Sequence, residues 1–215
     1  MRRSLLVSEL VCNGFSFGFS EIPYVMDVDH LIEPLSLVAR GCSAACSFFV
    51  AMFAWRVFSS DSRWAGAVVA LDAAVIVAGL VISIYVGDGE GFSPLFNHGF
   101  WFEWAGCALP FVWLSIASLR QYSRARLRVP LGLMDPVLCN RYFLIGFYSL
   151  LATITYFIYI PMYVIYELHG VWSGWLEIAL GLAEVVSVSA LWFAFSAPFF
   201  YRRWIGAAAA GTAKG

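Results

Sequence analysis

Five apolar runs, each a little over twenty residues long, constrain this chain more than any other feature of it. They fall at about residues 35–58, 65–86, 100–119, 142–166 and 176–200. At a rise of about 1.5 Å per residue, each crosses roughly 30 Å of hydrocarbon. A backbone inside hydrocarbon must satisfy its own hydrogen bonds, and these runs are uniformly apolar rather than alternating, so they read as helices and not as barrel strands. The expected fold class is all-α, a polytopic helical membrane bundle with five transmembrane helices, or six if the amino-terminal segment also spans. Composition agrees, with 61% hydrophobic residues, 13% charged residues and a mean hydropathy of +0.79. A soluble domain carries about twice that charge. Spans and short connections account for nearly all 215 residues, which leaves no room for a sizeable domain outside the membrane.

Orientation follows from the arginines, because basic residues in short loops stay on the cytoplasmic side. The connection between the third and fourth runs carries Arg120, Arg124, Arg126, Arg128 and Arg141. Arg56 and Arg63 flank the first connection, and Arg202 and Arg203 follow the fifth run. Five alternating spans place all of these on one side. The other side receives Asp27, Asp29, Glu33, Asp88, Glu90 and Glu167. The expectation is a multi-pass protein of the inner (plasma) membrane with a cytoplasmic carboxy terminus. A net charge of −1 gives no overall attraction to nucleic acid.

Residues 1–34 read as an interfacial, disordered or signal-anchor-like segment. Arg2 and Arg3 precede an apolar stretch of only about ten residues, broken by Glu9 and Glu21. Residues 205–215 read as a flexible small-residue tail. Pro110, Pro161 and Pro198 lie within or at the ends of spans and are expected to kink them. Cys12, Cys42, Cys46, Cys107 and Cys139 form no CxxC pair. Cys42 and Cys46 share a helix face, which suits small apolar packing residues better than a metal or redox pair.

Ionisable residues inside a bilayer cost a few kcal/mol each and persist with a partner or a role. Arg40, Asp72, Glu177 and Glu184 are such residues. Arg40, Ser43 and Ser47 share one face of the first run, and Asp72, Gly79 and Ser83 one face of the second. Glu177, Gly181, Glu184 and Ser187 recur on the fifth. These polar faces are expected to turn towards the bundle interior. Arg40 and Glu177 both lie near the outer ends of their spans, so an ion pair between them is expected. Asp72 and Glu184 have no basic residue at their depth. Each is expected to be neutral, hydrogen-bonded to a hydroxyl, or exposed to a wet cavity.

His30, His98 and His169 all fall on the outer side, near Glu103 and Glu167. His98, His169, Glu167 and Glu103 are therefore the candidates for a surface metal or pH site, with ordinary interfacial residues as the alternative. No cofactor is expected. A bis-histidine haem needs imidazoles inside the spans, and a retinal Schiff base needs a buried lysine, whereas the one lysine is Lys214. Tyr156, Tyr159 and Tyr163 share a face that, with Trp192, suggests either packing or a pocket for a flat apolar ligand. Gly66, Ala70, Ala74 and Ala78 give the second run a small-residue face suited to helix packing.

Residues 134–148, MDPVLCNRYFLIGFY, and 191–205, LWFAFSAPFFYRRWI, resemble the last helices of multi-helix membrane regions in uncharacterised bacterial proteins and at the front of bacterial membrane sensors. The shared features are Asp135-Pro136 opening a helix and a Pro-aromatic-Tyr-Arg-Arg exit. The resemblance implies a sensory or signal-coupling module acting through a partner, which would engage the loop of Arg120, Arg124, Arg126 and Arg128. Two other functions fit the residues: a proton or small-solute transport unit using Asp72 and Glu184, and an accessory subunit of a membrane complex. No nucleophile motif, His/Asp cluster or phosphate loop points to catalysis.

Overall fold

A computed structural model describes residues 11–12, 32–85, 98–170, 174–196, 201 and 205. Within a helix, the side chains of Glu167 and Glu177 fall outside that description. So do His30, Pro198, Arg202, Arg203, the residues 206–215 and nearly all of the amino-terminal segment. The described residues are all-α. The helices are α1 (Ile32–Phe58), α2 (Arg63–Tyr85), α3 (His98–Arg128), α4 (Pro136–His169) and α5 (Gly174–Ser196). Each is long and apolar enough to cross a membrane, and the chain is a multi-pass helical membrane protein.

The first, second and fourth apolar runs end within three residues of their helices and the fifth within four, while α3 departs further. The expected connection from residue 120 to residue 141 is mostly helix: α3 continues to Arg128 and α4 begins at Pro136. At 31 residues α3 is about 46 Å long, well beyond the hydrocarbon layer. Its end is capped locally. Leu133 N–H bonds to the Arg128 carbonyl at 3.1 Å and Gly132 N–H to that of Val129 at 3.0 Å, while Gly132 takes φ 68°. This paired closure needs a left-handed residue, which glycine supplies without a Cβ clash.

Asp135 then opens α4 as the sequence leads one to expect. Its Oδ1 accepts the Val137 N–H at 2.8 Å, and its carbonyl accepts the first helical bond from Cys139 at 3.0 Å. Pro136 occupies the first helical position, where no N–H is needed. Pro110 and Pro161 lie inside α3 and α4 without ending them.

The chain divides into two compact units. The first takes α1, α2, α3 as far as Phe111 and α4 from Tyr156; the second takes the rest of α3 and α4 together with α5. In the second unit Gly146 of α4 lies against Leu119 of α3, where a Cβ would sit 2.8 Å from the leucine side chain. Tyr122 and Phe143 pack with ring centroids 5.3 Å apart. In the first unit the buried face of α2 runs Ala65, Val69, Asp72, Ile76, Gly79 and Ser83, a strict alternation of three and four residues. Of the small-residue face expected to pack, only Gly66 does so, against the Trp55 ring. Ala70, Ala74 and Ala78 are exposed.

Candidate functional site

The polar side chains of the first unit converge because α2 and α3 cross at very short range. A Cβ at Gly79 would lie 2.5 Å from the Glu103 backbone nitrogen, and one at Gly99 would lie 2.5 Å from that of Ser83. Any other residue would hold the two backbones apart. The crossing fixes Glu103, one turn along from Gly99, deep in the unit with 5% of its surface exposed.

Glu103 is the partner of Arg40. The guanidinium Nε donates to both carboxylate oxygens, at 3.1 and 3.2 Å, and its terminal nitrogen closes a further bond to Oε2. Side-chain exposure is 20% for Arg40 and 7% for Glu103. The pairing bears on two expectations. Arg40 pairs with Glu103, while the expected pairing with Glu177 falls on a side chain outside the described residues, and the Glu103 carboxylate expected at an outer metal site is a buried counter-ion. Arg40 lies two turns into α1 and Glu103 one to two turns into α3, and the two helices start at the same end of an alternating array, so the pair shares a depth. Glu103 also lies on the face that the glycine crossing turns inward. Among the described residues no three metal-binding side chains cluster. His98 and His169 are exposed at helix ends.

Below the ion pair lies a set of weaker polar groups. Ser47 is fully buried and donates to the Ser43 carbonyl at 3.1 Å. The Cys107 thiol and the Tyr156 hydroxyl both hydrogen-bond with the hydroxyls of Ser43 and Ser47. Tyr156 also packs on Phe111 at 5.6 Å between centroids, and its carbonyl accepts from Trp104 Nε1 at 3.1 Å. Tyr163 meets Phe100 at 6.5 Å. The tyrosine face of α4 is therefore occupied by rings of α3. Cys46 and Cys107 are buried and form no disulfide.

Asp72 stands apart. It is 8% exposed, and its Oδ2 is buried with no hydrogen-bond partner among the described residues. It lies within electrostatic reach of Cys107, as does Glu103. The expected hydroxyl partner is not made at that oxygen.

The polar stripe of α5 is only partly interior. Ser187 is buried and donates to the Glu184 carbonyl at 2.8 Å, whereas Gly181 and Glu184 are exposed. Glu184 is thus not an interior carboxylate, which corrects the expected pairing of roles between Asp72 and Glu184. The buried residues of α5 are Leu180, Ser187, Ala190, Leu191 and Ala194. That apolar face takes the interior and leaves Glu184 outside it.

At the far end of α3, Arg120, Arg124, Arg126 and Arg128 are all exposed. The first, second and last of these recur every four residues and share a helix face. The helical continuation that presents them was missed because Arg120 ends the apolar run; the absence of Gly or Pro until Pro130 was the available signal.

These membrane-length helices define a multi-pass integral membrane protein with a buried polar core in its first unit. No protein-family model, curated protein or solved structure matches the chain.

Proposed function

We propose that the protein is a membrane signal-coupling module of the plasma membrane. In this reading the polar core around Arg40 and Glu103 is the input, and the basic end of α3 is the output, on the cytoplasmic side with the carboxy terminus. The observation that carries the reading is continuity: one helix holds both the buried Glu103 and the exposed Arg120, Arg124 and Arg128. A change in how Glu103 is paired acts on the same rigid element that presents the arginines. Resemblance of the last helices to bacterial membrane sensors points the same way. The partner would carry acidic groups to meet that basic face.

Photo-crosslinking in native membranes from Ser123, exposed on the basic end, tests this. A discrete adduct is expected, lost in the triple variant R120E/R124E/R128E and changed at least about threefold by Glu103→Gln. No adduct, or an adduct indifferent to Glu103→Gln, sinks the reading. Reporter fusions at the carboxy terminus check the orientation.

A second reading, a proton or small-solute transport unit, is favoured by one feature, the buried carboxylate oxygen of Asp72 with no partner among the described residues. It requires that flux into proteoliposomes collapse in Asp72→Asn. Flux that survives this change removes it.

A further inference from the structure

The connection between α3 and α4 collects hydrogen-bond donors without matching acceptors. Arg141 Nε is buried and has no hydrogen-bond partner among the described residues. Arg141 is in electrostatic contact with Tyr201, whose hydroxyl oxygen accepts a bond from the Asn140 amide. That bond leaves the phenol O–H free to donate. Burial holds the Tyr201 phenol above its ordinary value, against the opposing pull of Asn140 and Arg141, so it remains a donor at neutral pH. Arg126 reaches the same turn of α4 electrostatically, through Cys139. From residue 104 to residue 166 the sequence has one acid, Asp135. It is exposed, and one of its carboxylate oxygens caps α4. Among the described residues no carboxylate answers this guanidinium charge, which leaves room for an anion from outside the chain.

The neighbouring surface states what kind of anion fits. Leu127, Leu131 and Leu133 are 75%, 69% and 70% exposed. Leu131 and Leu133 flank Gly132 in the turn itself, where no helix face exists to dock a partner helix. Cationic forks beside leucines, at the end of a membrane span, match the boundary between headgroups and acyl chains. We propose that this turn binds the phosphate of an anionic phospholipid through Arg126, Arg141 and the Tyr201 hydroxyl, with Leu131 and Leu133 set among the acyl chains. Guanidinium and phosphate form paired charge-assisted hydrogen bonds, and a zwitterionic lipid offers the same phosphate with its charge already offset. The site is independent of the signal-coupling reading, which uses Arg120, Arg124 and Arg128.

The test is native mass spectrometry of the full chain in nonionic detergent, with phosphatidylglycerol or phosphatidylcholine added at equal concentration. Retention of phosphatidylglycerol is expected to exceed that of phosphatidylcholine about tenfold, the scale of one hydrogen bond to a charged group. Arg141→Gln and Arg126→Gln should each remove most of that preference. The exposed pair L131S/L133S should lower retention of both lipids while leaving the preference. If Arg141→Gln does not fold, Arg126→Gln and the leucine pair decide the matter, since both lie on the surface. Equal retention of the two lipids overturns the proposal. So does displacement of phosphatidylglycerol by millimolar inorganic phosphate, which would make this a free-anion site. Displacement by a polyglutamate peptide would make it a protein-docking site and overturns it equally.

Discussion

The polar stripes of α2 and α5 are alike in sequence and opposite in fate. Asp72, Gly79 and Ser83 recur at helical spacing, as do Glu177, Gly181, Glu184 and Ser187, and each set combines acid, glycine and serine. On α2 all three are buried; on α5 Ser187 alone is, among the members whose side chains are described. Spacing determines that residues share a face, and it is silent on where the face turns. On α2 the direction is set by a second helix, since Gly79 can meet α3 only because Gly99 stands opposite it. On α5 the interior is claimed by Leu180, Leu191 and Ala194, and the acid is left outside.

The comparison breaks most decisively at the ion pair. Glu103→Ala leaves Arg40 buried without its counter-ion and is expected to lower stability in detergent by about 3–5 kcal/mol, measured by chemical denaturation. The charge swap R40E/E103R should recover part of that loss. Failure of the swap to recover anything would mean that packing around the pair, rather than the pair itself, holds α1 to α3. Gly99→Ala probes the crossing of α2 and α3 directly, because its Cβ would meet the backbone of Ser83 and Gly79 as well as the Ser83 hydroxyl. A loss of about 1–3 kcal/mol is expected, with Gly41→Ala, which meets nothing within 4 Å, as the neutral control.

Asp72→Asn comes next. A buried carboxylate oxygen without a partner costs about 1–3 kcal/mol, so replacing it with a neutral amide is expected to raise the denaturation midpoint or leave it unchanged. A clear fall would show that Asp72 is satisfied by a group it does not meet among the described residues. The smallest effect belongs to Glu184→Gln, within about 0.5 kcal/mol of the parent in detergent. A larger loss would place Glu184 in an interface and close the gap between the two stripes.

Much of this architecture was legible. The five apolar runs are visible because a bilayer demands length and uniform hydropathy, both of which are local properties. Asp135-Pro136 was legible for the same reason: a cap is made by neighbours in the chain. Arg40 announced the need for a counter-ion, but its partner lies 63 residues away, beside a histidine that drew it into a different grouping. The decisive signal was the pair Gly79 and Gly99, which carries meaning only when two helices are considered together. The end of α3 was hidden by its own arginines, since a helix that leaves the membrane loses the apolar pattern while keeping its hydrogen bonds.

The separation of Arg40 from Glu103 also has a consequence in time. At roughly 5–20 residues per second of synthesis, the 63 residues between them take roughly 3–13 seconds to make. During that interval α1 is in the membrane without the carboxylate that Arg40 pairs with in the folded protein. Arrival of α3 is therefore expected to strengthen the residence of α1 in the bilayer. A chain arrested before Glu103 is expected to be extracted by alkaline carbonate more readily than one arrested after α3.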